Sequence, residues 1–299
     1  MIKKILPWWL KIASKIILSR LPVPYSLWKK LGIFVNGNAN NCQVAYDTFL
    51  SCANNAGVLL FKNGIPHFPI LESREFKVLE LGPGDSLFSG LVANALGSNK
   101  TWLVDAKQTA LKDVNKYIHM SEFIETKGLK AADLSSCKDI NDVLKQSSSV
   151  YLTDGVKSLN KIPDKSIDFC FSHAVLEHID LNDFPKLVTE LRRILKNTGR
   201  SYHIVDLKDH LDFSLNNLRF SQKQWEGALF KKSGFYTNRI RFSQMTTMFE
   251  EAGFKVSCPI IKKWNCLPIQ KNKLHPQFRS FSEEDLCISE FGMLLSLDN

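Results

Sequence analysis

The chain has 299 residues, 44% of them apolar and 23% charged, enough apolar material for a folded α/β domain with extensions and too much for a disordered chain. Its net charge of +9 is concentrated, because residues 1–40 hold Lys3, Lys4, Lys11, Lys15, Arg20, Lys29 and Lys30 and no acid. That excludes a nucleic-acid-binding face spread over the molecule and points to a local partner for the N-terminus. Seven cysteines with no CxxC and no paired spacing argue for a reduced, cytoplasmic protein without structural disulfides.

Residues 1–19 place Lys4, Lys11 and Lys15 on one side of a helical wheel and Leu6, Trp9, Ile12, Ala13, Ile16 and Ile17 on the other. No charge-free run reaches the length of a membrane span, and Lys11 and Lys15 interrupt what would be a signal-peptide core. Two readings stay open. In one, residues 1–30 lie on an anionic membrane surface with lysines toward headgroups, which makes the protein peripheral on the inner face of the membrane. In the other, the apolar side packs on protein. A proline-punctuated turn, a second short basic helix, an Asn/Gly loop and a helix near Cys42–Asn54 follow, and residues 1–70 read as an N-terminal extension to a domain at 71–299.

Phe76–Leu81 reads as a buried strand that stops at Gly82-Pro83-Gly84. Glycine at 82 and 84 permits positive φ and close approach of a ligand to the backbone. Ser86–Leu96 is an expected helix closed by Gly97, and Thr101–Val104 a second strand ending in Asp105. Glu80 and Asp105, 25 positions apart, therefore stand at the carboxyl ends of neighbouring strands, where open α/β sheets bind ligands. The third glycine of a dinucleotide turn is missing, and Asp85 would repel a phosphate, so a ligand with a ribose and an amino acid end fits better. The stretches VLELGPGDS and LVDA resemble the nucleotide turn and ribose acid of class I S-adenosylmethionine-dependent methyltransferases. The resemblance implies S-adenosyl-L-methionine as cofactor, bound by Glu80, Gly82, Pro83, Gly84 and Asp105. An ordinary βαβ turn is the plainer alternative.

Lys107–His119 is expected to be a helix and 131–149 a polar helical insertion. Val150–Thr153 is the third strand, ending in Asp154-Gly155; the resemblance implies contact between Asp154 and the adenine amino group, with Asp133 as competitor. The segment PDKSIDFCFSHAVLEHI resembles the fourth-strand region of the methyltransferase branch that includes quinone-biosynthesis enzymes. There Ser172 and His173 would offer backbone carbonyls to the cofactor's ammonium. Glu177 and His178 lie one turn further, facing either the pocket or the core.

Asp183–Leu195 is an amphipathic helix, and Tyr202–Val205 the fifth strand. His210 is the candidate proton acceptor, oriented by Asp206 or Asp209, and a metal reading is disfavoured by the lone histidine. An insertion at about 207–242 reads as a lid. Its Asn217, Arg219, Tyr236, Asn238 and Arg239, with His178, are substrate candidates on a composition suited to a polar ring, whereas a surface loop or dimer contact is the plainer reading. Phe254–Ile261 and Ile288–Leu297 complete a Rossmann-like, mostly parallel seven-stranded sheet with a terminal antiparallel pair. The N-terminal segment and SGFYTNRIR resemble methyltransferases of bacterial surface-polysaccharide biosynthesis. This implies O-methylation of a sugar or lipid-linked glycan at the cytosolic membrane face. A quinone or lipid-like acceptor, and a non-catalytic partner of envelope-assembly enzymes, are the alternatives; no nucleic acid is expected, and the oligomeric state stays open.

Overall fold

The computed structural model describes residues 7–18, 40–69 and 75–297. Its first helix, α1, runs Trp8–Leu18; the second, α2, runs Cys42–Asn55, opened by the Asn41 side chain accepting from the Val44 N–H. A small hairpin of β1 (Leu60–Lys62) and β2 (Ile65–His67) follows, in a stretch expected to be irregular. The main sheet begins at β3 (Lys77–Leu81), followed by α3 (Phe88–Ala95), β4 (Lys100–Val104), α4 (Val114–Thr126), α5 (Ile140–Gln146) and β5 (Ser149–Leu152). It continues with β6 (Ile167–His173), α6 (Phe184–Ile194) and β7 (Leu195–Asp206), then α7 (Phe242–Glu251), β8 (Phe254–Lys263) and β9 (Ile288–Leu297).

These strands lie in the order β5-β4-β3-β6-β7-β9-β8; the first five are mutually parallel, and β9 runs against them, pairing antiparallel with both β7 and β8. This is the Rossmann-like sheet expected from the sequence, terminal hairpin included. Parallel pairing requires crossovers, and the helices that provide them cover both faces, so the central strands are mostly apolar. In β6 every residue from Ile167 to Ser172 is buried and only His173 emerges. Phe169 and Phe171 stack 5.3 Å apart on one face of that strand, and Phe49 of α2 meets Phe171 edge-on at 5.1 Å. Residues 42–69 thus share a hydrophobic cluster with the sheet, and the division expected between residues 70 and 71 runs through one packed body.

On the opposite face, α6 buries Phe184, Leu187, Val188, Leu191 and Ile194 at helical spacing, a stripe that contributes on the order of 10 kcal/mol. Two sequence expectations shift here. The helix expected at Lys107–His119 starts only at Val114, because Asp113 caps it by accepting from the Asn115 N–H, while 107–113 fold back onto the strand ends. In the insertion at 131–149 only Ile140–Gln146 is helical.

His203 of β7 is fully buried, its Nδ1 2.7 Å from Ser172 Oγ and its Nε2 2.7 Å from Ser201 Oγ. Burial pushes it down to about 3, so it folds neutral and takes up a proton only on unfolding. Stability therefore falls as pH drops from about 6.5 toward 3, with a slope from this one site of up to about 1.4 kcal/mol per pH unit. Urea titrations between pH 7 and 5 are expected to show a flatter pH dependence for His203→Phe than for the parent; equal slopes would remove this assignment.

Candidate active site

Register places the expected residues in one row. Leu81 pairs with Val104 of β4 and with Ser172 of β6, so Gly82, Asp105 and His173 leave the sheet side by side. Val104 pairs with Leu152, which brings Thr153 and Asp154 onto the same edge. Between β3 and β6 the strand order reverses, the position where such sheets open a crevice.

The glycine turn is held from both sides. The Gly82 N–H donates to the Val104 carbonyl at 2.7 Å, and the Gly84 N–H donates to Asp105 Oδ2 at 3.0 Å. Asp105 Oδ1 accepts from the Ala106 N–H at 2.6 Å, so each carboxylate oxygen keeps acceptor capacity. Both glycines have φ +69°. A Cβ on Gly82 would lie 2.4 Å from Val175 Cγ2, whereas one on Gly84 would meet no atom within 4 Å. Glu80 sits beneath the turn and accepts from Ser89 Oγ; burial pushes its carboxyl up to about 8, with the nearby Asp105 charge adding to the rise.

Beyond this edge a cleft of about 720 Å³ opens between the 3-10 turn Gly155–Lys161 and α6. Ala106, Asp154, Gly155 and His178 line its sheet end, and Asn160, Lys186, Thr189 and Glu190 its far end. Of the two acids weighed for the adenine amino group, Asp154 lines this cleft and Asp133 does not. Sequence reasoning missed the far end, since Lys186, Thr189 and Glu190 look like the solvated face of an amphipathic helix.

His178, which lines the cleft, meets a second histidine, His210. Their Nε2 atoms are 3.1 Å apart, with ring centroids at 4.9 Å and planes within 18°. His178 Nδ1 lies 2.9 Å from the Tyr236 carbonyl, which only accepts, so Nδ1 carries a proton. Burial lowers the pKa of His178 and pushes His210 down to about 4, a shift His178 increases. Both rings are therefore neutral at pH 7. His178 Nε2 then bears a lone pair, His210 Nε2–H donates to it, and His210 Nδ1 is left as an acceptor with no hydrogen-bond partner among the described residues.

Residues 79–202 match the family model described as a methyltransferase domain. That segment is a methyltransferase domain, and S-adenosylmethionine is its cofactor. No functionally curated protein matches the chain. Among solved structures, YcgJ of Bacillus subtilis is 19% identical, with a TM-score of 0.40 and coverage of 75% of this chain and 93% of that one. A SAM-dependent methyltransferase of Archaeoglobus fulgidus is 15% identical, with a TM-score of 0.40 and coverage of 74% and 86%. Phosphoethanolamine N-methyltransferase 2 of Haemonchus contortus, in complex with S-adenosyl-L-methionine, is 13% identical, with a TM-score of 0.45 and coverage of 85% and 53%. Likeness at this level bears on neither the acceptor nor individual residues.

The methyltransferase edge has room and acceptors for such a cofactor: Gly84 leaves open space beside its backbone, and Asp105 and Asp154 stand at the ends of adjacent strands. Among the described residues no group of three or more His, Cys, Asp or Glu is placed to hold a metal ion.

Other candidates lie elsewhere than expected. Asp206 pairs with Lys208 at 2.9 Å, and Asp209 accepts from the N–H groups of Leu211, Asp212 and Asn216. Neither bonds to His210; His178, expected to contact substrate, orients it instead. The lid donors turn inward. Asn238 Nδ2 holds the Leu176 and Ile179 carbonyls, and Arg239 holds those of Asn217 and Phe220. Asn217 donates to Thr237 Oγ1, Arg219 donates to Asn216 and lies over Trp8, and the Tyr236 hydroxyl donates to Glu226. The insertion builds its own small core around Trp225, Phe230, Phe235 and Tyr236, which recruits these polar groups as internal braces.

Gly82→Ala combines positive φ with a clash against Val175, and the conformation alone costs about 1–2 kcal/mol. The variant is expected to unfold at lower urea and to bind S-adenosylmethionine more weakly, and Val175→Ala in the same chain to recover part of the loss. Failure of Val175→Ala to recover any stability would show that the close packing is not the constraint.

Proposed function

We propose that this methyltransferase O-methylates a sugar or lipid-linked glycan at the cytosolic face of a membrane. The observation that carries the reading is the open Nδ1 of His210, fixed by the Tyr236 carbonyl through His178, which itself lines the cleft. A neutral imidazole with an open nitrogen is suited to accepting the proton of a hydroxyl. Asp154, Asn160, Thr189 and Glu190 offer hydrogen-bonding groups to a polyhydroxylated molecule along the cleft.

S-adenosylmethionine supplies a methyl group already activated on a positively charged sulfur, so the protein has mainly to place the acceptor and take its proton. Asp105 holds the ribose hydroxyls in this reading and Asp154 the adenine amino group. Glu80 and the backbone carbonyls at Ser172 and His173 face the amino acid end, and Gly82, Pro83, Gly84 and Gly155 shape the backbone around the cofactor.

Support for a membrane-proximal site comes from α1. No described helix is long and apolar enough to cross a membrane. The face of α1 turned away from the protein carries Trp9, 56% exposed, with Leu10, Ala13 and Ile17, an apolar stripe suited to an interface. Two of the lysines expected to meet headgroups point the other way: Lys11 pairs with Asp212 and Lys15 donates to the His210 carbonyl, while Lys4 lies outside the described residues. Any insertion would therefore rest on tryptophan and aliphatic burial, with charge attraction contributing less.

Asp105→Ala is expected to weaken S-adenosylmethionine binding in isothermal titration by about 10-fold or more, the worth of charge-assisted hydrogen bonds; unchanged affinity would sink the ribose assignment. Transfer of radiolabelled methyl into a cell-envelope extract should appear in the glycan fraction and disappear in His210→Asn. Since burial holds His210 down to about 4, the acid limb of the rate should lie near 4 to 5 and not at 6.5. Label in the RNA or quinone fraction would overturn the acceptor class.

A further inference from the structure

The backbone that carries His210 is irregular, the stretch 207–215 between β7 and the helical insertion. Asp209 braces it from inside through three backbone N–H groups. From outside it is held by a segment some 200 positions away in sequence. Lys15 Nζ donates to the His210 carbonyl at 3.1 Å, and Lys11 Nζ pairs with Asp212 Oδ1 at 2.7 Å. The two lysines sit one turn apart on α1 and grip the loop on either side of Leu211.

Ile12, between them, is buried in the cluster of Leu211, Trp225, Phe230, Phe235 and Tyr236, with Trp8 and Ile16 alongside. Trp8 also meets Phe220 edge-on at 6.1 Å and lies under the Arg219 guanidinium at 4.9 Å. An ion pair with one partner half-exposed contributes little on its own. The adhesion comes from the apolar contacts, and the lysines set where along the loop the helix sits. The same cluster contains Tyr236, whose carbonyl fixes the tautomer of His178. One packed unit thus contacts both imidazoles, His210 through its own carbonyl and His178 through Tyr236.

We propose that α1 is a strap that positions His210 for proton transfer, with Lys15 and Lys11 as positioning residues. The inference rests on the reading of His210 as the proton acceptor. The charged and titratable groups around the His210 ring are His178, Asp206, Lys15 and Asp209. Of these Lys15 is the one contributed by α1, and its ammonium disfavours the imidazolium form.

Hydrogen exchange across 207–216 in the full-length protein reads the strap without reference to activity. In Lys11→Met/Lys15→Met the Leu211, Asp212 and Asn216 amides should exchange at least tenfold faster, and in Ile12→Ala by a similar factor through loss of the apolar anchor. Lys15→Arg should keep the parent rates. Protection unchanged in both the double lysine variant and Ile12→Ala would overturn the strap. Histidine NMR titration gives a second readout: His210 should titrate at higher pH in Lys15→Met and as in the parent in Lys15→Arg. A merely structural lysine would leave that titration in place, and an unmoved value in Lys15→Met would overturn Lys15 as a positioning residue. Methyl transfer into the envelope glycan fraction separates the two readings. If His210→Asn abolishes transfer while the strap variants exchange normally, the strap fails and the base stands. If the strap variants loosen but His210→Asn transfers at the parent rate, the base reading fails and the positioning claim falls with it.

Discussion

The site depends on one constraint, the common end-point of three parallel strands. Because Leu81 is in register with both Val104 and Ser172, the chain leaves β3, β4 and β6 at the same level. A slip of one residue in any of these pairs would turn Glu80 or Asp105 to the other face and separate the glycine turn from the carboxylate that anchors it. Register is secured far from the ligand edge, by mostly apolar stretches such as Ile167–Phe171 that must be covered on both faces. The core therefore fixes the positions of groups that are themselves polar and partly open to solvent.

A second layer of order comes from tautomers. A lone imidazole facing solvent can place its proton on either nitrogen, and a fraction of the molecules would present N–H where a base is needed. The Tyr236 carbonyl removes that freedom at His178, and His178 removes it at His210. Burial removes the remaining state by keeping both rings neutral. A carboxylate in the place of His178 would orient His210 equally well, but it would stabilise the imidazolium and raise the acid limb. An imidazole partner makes the better acceptor at low pH and the weaker base.

Much of this was legible in the chain. A strand that ends in acid, Leu, Gly, Pro, Gly states its own carboxyl end, and the apolar run before Ser172 marks a central strand. The lid was read less well for a physical reason. Asn217, Asn238 and Arg239 have the composition of ligand contacts, but buried carbonyls recruit the same donors, and composition does not say which acceptor is nearer. The orienting partner of His210 was missed because Asp206 and Asp209 are its sequence neighbours, while His178 reaches it only through the fold. The polar lining of α6 carried no signal, since one helical turn of Lys, Thr and Glu looks alike facing solvent or a cleft. The helix expected at Lys107 began at Val114 because Asp113 is a capping residue and Lys107–Lys112 precede it.

The N-terminal helix shows how two partial amphipathicities compete. Its wheel offers lysines on one side and apolar residues on the other, and the simplest reading sends the lysines outward. The structure instead docks the face of Trp8, Lys11, Ile12, Lys15 and Ile16, which mixes both kinds, and leaves Trp9, Leu10, Ala13 and Ile17 outward. The mixed face wins because the loop beneath it offers an anion at Asp212 and a free carbonyl at His210 beside an aromatic cluster, so each lysine finds an acceptor while its aliphatic stem packs on apolar surface. With its charges satisfied inward, the helix presents an outer face that carries no charge at Trp9, Leu10, Ala13 or Ile17. A helix that touches the loop of His210, the proposed proton acceptor, on one side and offers tryptophan and isoleucine on the other would join, in about three turns, the chemistry to whatever surface the outer face meets.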